Sequence, residues 1–457
     1  MADKHRSGDG CGGSPSDLQV YTASEFTEDE EEQQEQTLWP RPLAQKWTLI
    51  LFIGTCLLYC ARMAMPICVV SLAATFHWSK TDSGLVLGGF FWGYCFTQIL
   101  GGHTSDKVGG ERVLLVSTAL WALATAGTPL LAQLGCHTVA LLTLARFLMG
   151  LLQGVFFPSL ASICSQRVVE GERGFLMSTM NSGSHLGTLL AGGMGSLLLD
   201  RYGWESMFYG TGLLSALWAL IVWQCLLKGE WTPKQLKTSN DSQWSLSGRR
   251  WLALLKKPSV WAMVFAHMCA SSTFYTLLSW LPTYFKESFP HATGWVYNVI
   301  PWLTAIPSAL GGGYVSDFLI NKGYKVAFVR KIMQFFAMGV SSIFYMLLCR
   351  TVTFTSAVIF VSAAMGVSTF TSGGVSVNVQ DLTPSCAGAL FGFMNMLGAL
   401  MGLVVVLLAG YLIEVTLSWA TVFSLVTLVN ATGLGIFLIF GDARRVDLED
   451  YRQIIVI

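Results

Sequence analysis

Twelve apolar stretches run through this chain, each roughly long enough to cross the hydrocarbon core of a bilayer as a helix. They lie near 47–72, 83–101, 113–133, 138–164, 175–199, 207–227, 258–285, 295–316, 326–349, 354–378, 387–413 and 419–440. In lipid a segment must satisfy its own backbone amides, so stretches of this length and composition form helices. Of the 457 residues, 53% are hydrophobic and 12% are charged, about half the charge of an ordinary soluble domain. The expected fold is an all-α membrane protein.

The polar remainder divides the chain. Residues 1–45 are rich in Gly, Ser, Glu and Gln, with an unbroken acidic run from Glu28 to Glu32. Such a segment cannot bury a core and is expected to be a disordered tail. Its polar start does not have the pattern of a secretory signal peptide. A basic linker at 228–257 separates six spans from six, giving bundles at 46–227 and 258–441 and a short tail at 442–457. An even number of spans puts both tails on one side of the membrane. Of 28 lysines and arginines, 22 lie in the tails and even-numbered connections, and four (Lys80, Arg201, Lys286, Arg350) in the odd ones. The positive-inside rule then places both termini and the linker in the cytosol. The Asn240-Asp-Ser sequon falls in that linker and is read as silent.

The two halves repeat. Gly101 to Gly110 (GGHTSDKVGG) and Gly311 to Gly323 (GGGYVSDFLINKG) each place an aspartate four residues after a glycine, as Gly102/Asp106 and Gly313/Asp317. The aspartates are 317 − 106 = 211 residues apart, a fitting length for a duplicated six-span unit. Parallel repeats of this kind imply two pseudo-symmetric six-helix bundles and are an architecture of secondary transporters.

The last two basic residues, Arg62 and Arg146, lie well within spans rather than at their ends, with no acidic residue equally deep. A charged side chain at mid-membrane costs at least ~2.5–3.5 kcal/mol and is a functional candidate by default. Arg146, Gly150, Gly154 and Pro158 recur every fourth residue, so they share one helical stripe. That stripe sets a cation beside missing side chains, where another helix can pack closely. Either the two arginines snorkel to an interface, or they face a central cavity that receives an anion. His185 and His267 are candidates for proton relays or for hydrogen-bonded core histidines, and Tyr275, Trp280 and Trp302 for stacking on a planar ligand or for packing.

Several chemistries find no residues to carry them. There is no phosphate-cradling Gly-x-x-x-x-Gly-Lys-Ser/Thr, no zinc spacing and no Ser-His-Asp arrangement. The 11 cysteines, such as Cys56, Cys60, Cys164 and Cys225, mostly sit in apolar runs as small hydrophobes. The chain reads as no enzyme, with no metal, no organic cofactor and no nucleic-acid partner. Transport would be driven by a gradient made elsewhere.

Gly102-x-x-x-Asp106-Lys107-x-Gly109 with Arg112 resembles the cytosolic loop signature of the major facilitator superfamily. Gly110 and Glu111 depart from it where the signature prefers basic residues. An aspartate at a helix end can bind a helix N-terminus or an arginine of the adjoining bundle. Asp106, Lys107, Arg112 and Asp317 are therefore the expected cytosolic gate. Phe90-Phe91-Trp92-Gly93-Tyr94 with Gln98-Ile99-x-Gly101-Gly102 resembles the second helix of the organic anion transporters, which include the vesicular glutamate transporters and sialin. Arg146 to Pro158 resembles their fourth helix; Phe274-Tyr275, Pro282-x-Tyr284-Phe285 and Gly312-x-x-x-Ser316-Asp317-Phe318 resemble their seventh and eighth.

The resemblance, over about residues 45–440, implies alternating access and contact of Arg62 and Arg146 with an anionic substrate. It places Leu87, Gln153 and Ala270 where glutamate-transporting members carry a histidine, a glutamate and an arginine. Those departures weigh against proton coupling and against glutamate. A nucleoside triphosphate with about four negative charges would gain ~9 kcal/mol in crossing into a lumen ~100 mV positive. The expectation is a carrier of nucleotide anions (ATP, ADP, GTP) in secretory vesicles and lysosomes. A vacuolar proton pump would be its functional partner and chloride an activator by family analogy. The alternative is a proton- or sodium-coupled symporter of a small organic anion or phosphate, with His267 titrating. Tyr451-Arg-Gln-Ile454 fits a Tyr-x-x-apolar sorting signal for a clathrin adaptor.

Overall fold

The computed structural model describes residues 38–78, 80–135, 137–227, 248–292, 294–350 and 353–447. Tyr451, Ile454, the Asn240 sequon and the acidic run Glu28 to Glu32 lie outside the described residues. Among the described residues, nine helical segments are long and apolar enough to cross a membrane. Three further helices, Arg173–Tyr202, Pro258–Ser288 and Gly294–Asn321, are 30, 31 and 28 residues long and complete twelve.

In chain order the first half holds α1 (Arg41–Phe76), α2 (Lys80–Val108), α3 (Gly110–Gln133), α4 (Thr138–Gly154) with its continuation α5 (Phe156–Arg167), α6 (Arg173–Tyr202) and α7 (Trp204–Leu227). A short helix, α8 (Gly248–Leu255), precedes the second half. That half holds α9 (Pro258–Ser288), α10 (Gly294–Asn321), α11 (Val326–Gln334) leading through a π-helical turn into α12 (Ser341–Leu348), and α13 (Phe354–Ser368) leading into α14 (Val375–Leu382). It ends with α15 (Ala387–Thr416) and α16 (Trp419–Phe440).

Neighbour relations repeat between the halves. α1 packs on α6 as α9 packs on α15; α2 packs on α4 as α10 packs on α13; α3 packs on α7 as α12 packs on α16. The halves meet along two matching seams, α2 on α15 and α6 on α10. A sequence with Asp106 and Asp317 at equivalent helix ends thus folds into equivalent neighbourhoods.

Some expected boundaries shift. The first helix starts at Arg41, so residues 41–45, expected in the tail, form its first turn. Pro40 and Pro42 suit a helix start, where a missing N–H costs nothing. Trp39 is buried, its N–H donates to the Arg167 carbonyl at 2.9 Å, and its ring stacks on Trp47 at 5.7 Å. The span expected as one helix at 138–164 is interrupted after Gly154. Pro158 has no N–H to give the Gly154 carbonyl, so the ladder breaks at that turn.

The glycine stripe packs α4 against α2. A side chain on Gly150 would run into the Phe90 carbonyl, and one on Gly154 into the Tyr94 carbonyl and Thr97. From the other side, Gly93 leaves no room for a side chain against the Phe147 carbonyl. Along α2 one stripe is buried (Phe90 1%, Gln98 0% exposed) and another open (Trp92 70%, Phe96 65%, Leu100 68%). Large apolar side chains on an open stripe of that size suit contact with lipid.

Gly150→Val is expected to lower the melting temperature of the detergent-purified protein markedly, because overpacking costs ~1–3 kcal/mol and here the obstacle is backbone. Gly127→Ala, where a Cβ would meet open space, should leave it unchanged. Equal melting temperatures in a thermal-shift assay would refute the close approach of α2 and α4.

Candidate functional site

Arg62 on α1 and Arg146 on α4 come together at mid-helix. The Arg62 guanidinium lies 4.6 Å from the Tyr59 ring centre and 5.0 Å from those of Phe90 and Tyr94. The Arg146 guanidinium lies 4.9 Å from the same Phe90 ring. The two cations are therefore no further apart than the sum of their distances to that ring. Rings offset part of a buried cation's cost, up to ~2 kcal/mol each when desolvated. They accept no conventional hydrogen bond, and a guanidinium has five N–H donors.

The Tyr59 and Tyr94 hydroxyls lie close to Arg62 and meet part of that capacity, but not all of it. Arg62 Nε donates to Gln153 Oε1 at 3.3 Å, and its buried Nη2 has no partner. Arg146 Nη1 reaches the Arg62 carbonyl at 3.5 Å and Met149 Sδ at 3.4 Å, and its buried Nε has no partner. Among the described residues the buried ion pairs lie elsewhere and involve neither arginine. Two positive charges thus face one another with open donors and no carboxylate to neutralise them. Such a place favours a polyanion with acceptors on several sides.

The surroundings are neutral and polar. Gln153 Nε2 reaches the Leu58 carbonyl at 3.5 Å, so this amide ties α4 to α1 while it orients Arg62. Across the seam, Asn395 of α15 donates at 3.1 Å to both the Tyr94 hydroxyl and Gln98 Oε1. Tyr275 of α9 is close enough to Arg62 to interact electrostatically, and its ring backs onto Gly402. The other sequence candidates are more scattered. His267 is buried against Phe391 with both ring nitrogens outside hydrogen-bond geometry, although the Asn395 side chain lies nearby. Trp280 is held away by α15, donating to the Val406 carbonyl at 3.1 Å. Trp302 lies against His185 and Phe274, with ring centres 5.8 Å from each.

At the end of the molecule where the described residues begin and end, the two repeated aspartates each cap a helix of the opposite half. Asp106 accepts from the backbone N–H of Gly388 at 3.1 Å and of Ala389 at 3.0 Å, at the start of α15. Asp317 accepts from Gly174 at 3.1 Å and Phe175 at 2.6 Å, at the start of α6. Neither helix has a side-chain cap from its own N-cap residue. The carboxylates therefore take up first-turn donors that would otherwise be orphaned and sit at the positive end of the macrodipole. Lys107 and Arg112 are exposed and are not drawn into these contacts.

Sequence reasoning missed a buried ion cluster beside this end. Arg330, counted above with the cytosolic connections, is 1% exposed and pairs with Asp381 at 2.8 Å. It also donates to Ser316 Oγ at 2.8 Å and the Gly373 carbonyl at 3.1 Å. Arg173, likewise counted with the connections, crosses between halves to the same Asp381 at 3.6 Å and to the Gln380 carbonyl at 3.4 Å. Glu111, which departs from the loop signature, is buried and pairs with Arg167 at 3.1 Å. The available signal was opposite charges at successive helix ends, but a positive-inside count treats every such cation as solvated.

Comparison with known proteins bears on the site. The sequence profile of the Major Facilitator Superfamily matches residues 51–406. The chain is 51% identical over 421 residues to the voltage-gated purine nucleotide uniporter SLC17A9 of Mus musculus, covering 91% of this chain and 93% of that one. It is 50% identical over 419 residues to the protein of the same name from Homo sapiens, covering 91% and 96%. Among solved structures it is similar to the proton:xylose symporter XylE of the same superfamily. That match has a TM-score of 0.70 at 14% identity and covers 88% of this chain and 97% of that one.

Asp381→Asn should leave Arg330 and Arg173 buried without a counter-charge and cost about 3–5 kcal/mol. The readout is thermal denaturation in detergent. A melting temperature equal to wild type would mean that the cluster is solvated. Reversing the other pair in one chain (Glu111→Arg with Arg167→Glu) should recover much of the stability that either change alone removes.

Proposed function

The chain belongs to the major facilitator superfamily and is a transporter, and from that premise we propose that it is a uniporter of purine nucleotide anions. In this reading it carries them from the cytosol into secretory vesicles or lysosomes by alternating access, driven by membrane potential. The observation that carries the reading is the pair of arginines, Arg146 buried and Arg62 half-buried, which share the Phe90 ring and keep unpaired donors with no carboxylate beside them among the described residues. Arg62 and Arg146 bind the phosphates. Tyr275 borders the same site, and His267 lies further along α9. The names of the similar mouse and human proteins support purine nucleotides as the cargo.

The ends of the seams supply the gate in this proposal. Asp106 and Asp317 hold the halves together where they cap α15 and α6, and release of those caps opens that end. Lys107 and Arg112, exposed nearby, raise the local concentration of anions at the entrance. Gly150 and Gly154 keep α4 close to α2, so that Arg146 stays beside Phe90, and Pro158 follows on α5 with its carbonyl against Gly388 of α15. Gln153 supports the choice of a highly charged cargo, since a neutral amide orients Arg62 without repelling phosphate. A vacuolar proton pump as partner and chloride as activator rest on the family resemblance. A sorting role for Tyr451 and Ile454 through a clathrin adaptor rests on the motif.

Purified protein in proteoliposomes should take up ATP when an inside-positive potential is imposed. Arg62→Ala and Arg146→Ala should each lower uptake on the order of 100-fold, as expected when one partner of a desolvated charge pair is removed. Uptake independent of potential, or full activity in Arg146→Ala, would reject the proposal. Gln153→Glu places a carboxylate on Arg62 Nε and should suppress ATP uptake at least tenfold. The check is the half-saturating ATP concentration alongside the maximal rate.

A further inference from the structure

One aromatic cluster takes no part in holding the two arginines. It is made by His185 of α6, Phe274 of α9 and Trp302 of α10, so it bridges the two halves. The His185 ring lies 5.8 Å from Trp302 and 6.4 Å from Phe274, and Phe274 meets Trp302 edge-on at 5.8 Å. His185 is only 7% exposed, and its Nε2 has no hydrogen-bond partner. A buried polar atom left unpaired is a net cost to the fold, and a native structure keeps one where a ligand or another group completes it. Phe274 keeps 37% of its surface exposed, so the cluster has an open side.

The cluster adjoins the arginine site on two helices. Ser184, the residue before His185, lies close to the Tyr59 hydroxyl, and Tyr59 is the ring nearest Arg62. Tyr275, the residue after Phe274, is one of the phenols around the same arginine. A ligand whose phosphates occupy Arg62 and Arg146 can therefore extend toward flat rings and an unpaired imidazole nitrogen. Phosphate alone would need neither. A nucleobase needs both, because its faces stack on aromatic rings and its edges carry donors and acceptors.

We propose that His185, Phe274 and Trp302 form the nucleobase subsite, with the base stacked against the rings and one base edge bonded to His185 Nε2. This inference rests on the nucleotide reading above and extends it from the phosphates to the base.

The test uses the full chain in proteoliposomes under an imposed potential, with ATP as substrate and tripolyphosphate as a competitor that has the phosphates but no base. Trp302→Ala and His185→Ala are each expected to raise the half-saturating ATP concentration roughly tenfold. Inhibition by tripolyphosphate should be unchanged in both. His185→Gln, which keeps a donor and an acceptor, should recover part of the ATP affinity and serves as the second variant if a truncation misfolds. Arg62→Ala should weaken ATP and tripolyphosphate alike. Unchanged ATP affinity in the cluster variants overturns the subsite, as does an equal loss for ATP and tripolyphosphate. Wild-type protein that takes up no ATP overturns the nucleotide reading itself and the subsite with it, and ATP uptake that tripolyphosphate fails to inhibit overturns the seating of the phosphates on Arg62 and Arg146 from which the subsite is argued.

Discussion

Two unneutralised guanidiniums inside the helix bundle are the constraint to which the rest of the structure answers. Removing a cation from water costs several kcal/mol even after relaxation. Arg62 and Arg146 meet that cost partly through the Tyr59, Phe90 and Tyr94 rings and partly through amide and carbonyl acceptors. None of these cancels the charge. The glycine seam between α2 and α4 then acquires a purpose beyond packing, because it brings the backbone that carries Phe90 up to the turn that carries Arg146. Gln153, one turn before the break at Pro158, orients Arg62 without neutralising it.

The end of the molecule where the described residues begin and end follows a different rule, with the buried charges described there paired or hydrogen-bonded. The N-terminal donors of α6 and α15 are capped by aspartates from the other half. The corresponding ion pairs have opposite polarity in the two halves. In the first, an acid at the start of α3 meets a base at the end of α5, Glu111 with Arg167. In the second, a base on α11 meets an acid at the end of α14, Arg330 with Asp381. Arg173 then joins the first half to the second through Asp381. Pairing is satisfied where the halves close on one another and left incomplete where an anion would lie. That contrast is what a carrier needs, since a fully neutralised centre would have nothing to offer a substrate.

Much of this was legible in the residues. The twelve apolar stretches dictated twelve helical segments, because a backbone in lipid has no other partner for its amides. The repeat around Asp106 and Asp317 gave the two-half plan, and the four-residue spacing from Arg146 to Pro158 gave the packing face of the fourth span. The break after Gly154 was written in Pro158 but was read as a continuous helix. Charge counting misplaced Arg330 and Arg173, because it cannot distinguish a cation at a membrane surface from one buried against an aspartate contributed by a distant helix.

The sequence by itself determined the helical class, the repeated halves and the presence of two cations without nearby acids, since hydropathy and helical period are local properties. Only the tertiary structure decided that those cations share one ring. It alone decided that Asp106 and Asp317 cap helices of the opposite half, and that His185 lies beside Phe274 and Trp302. Each of those relations joins residues far apart in the chain, and their contact depends on how helices pack rather than on how any one of them is written.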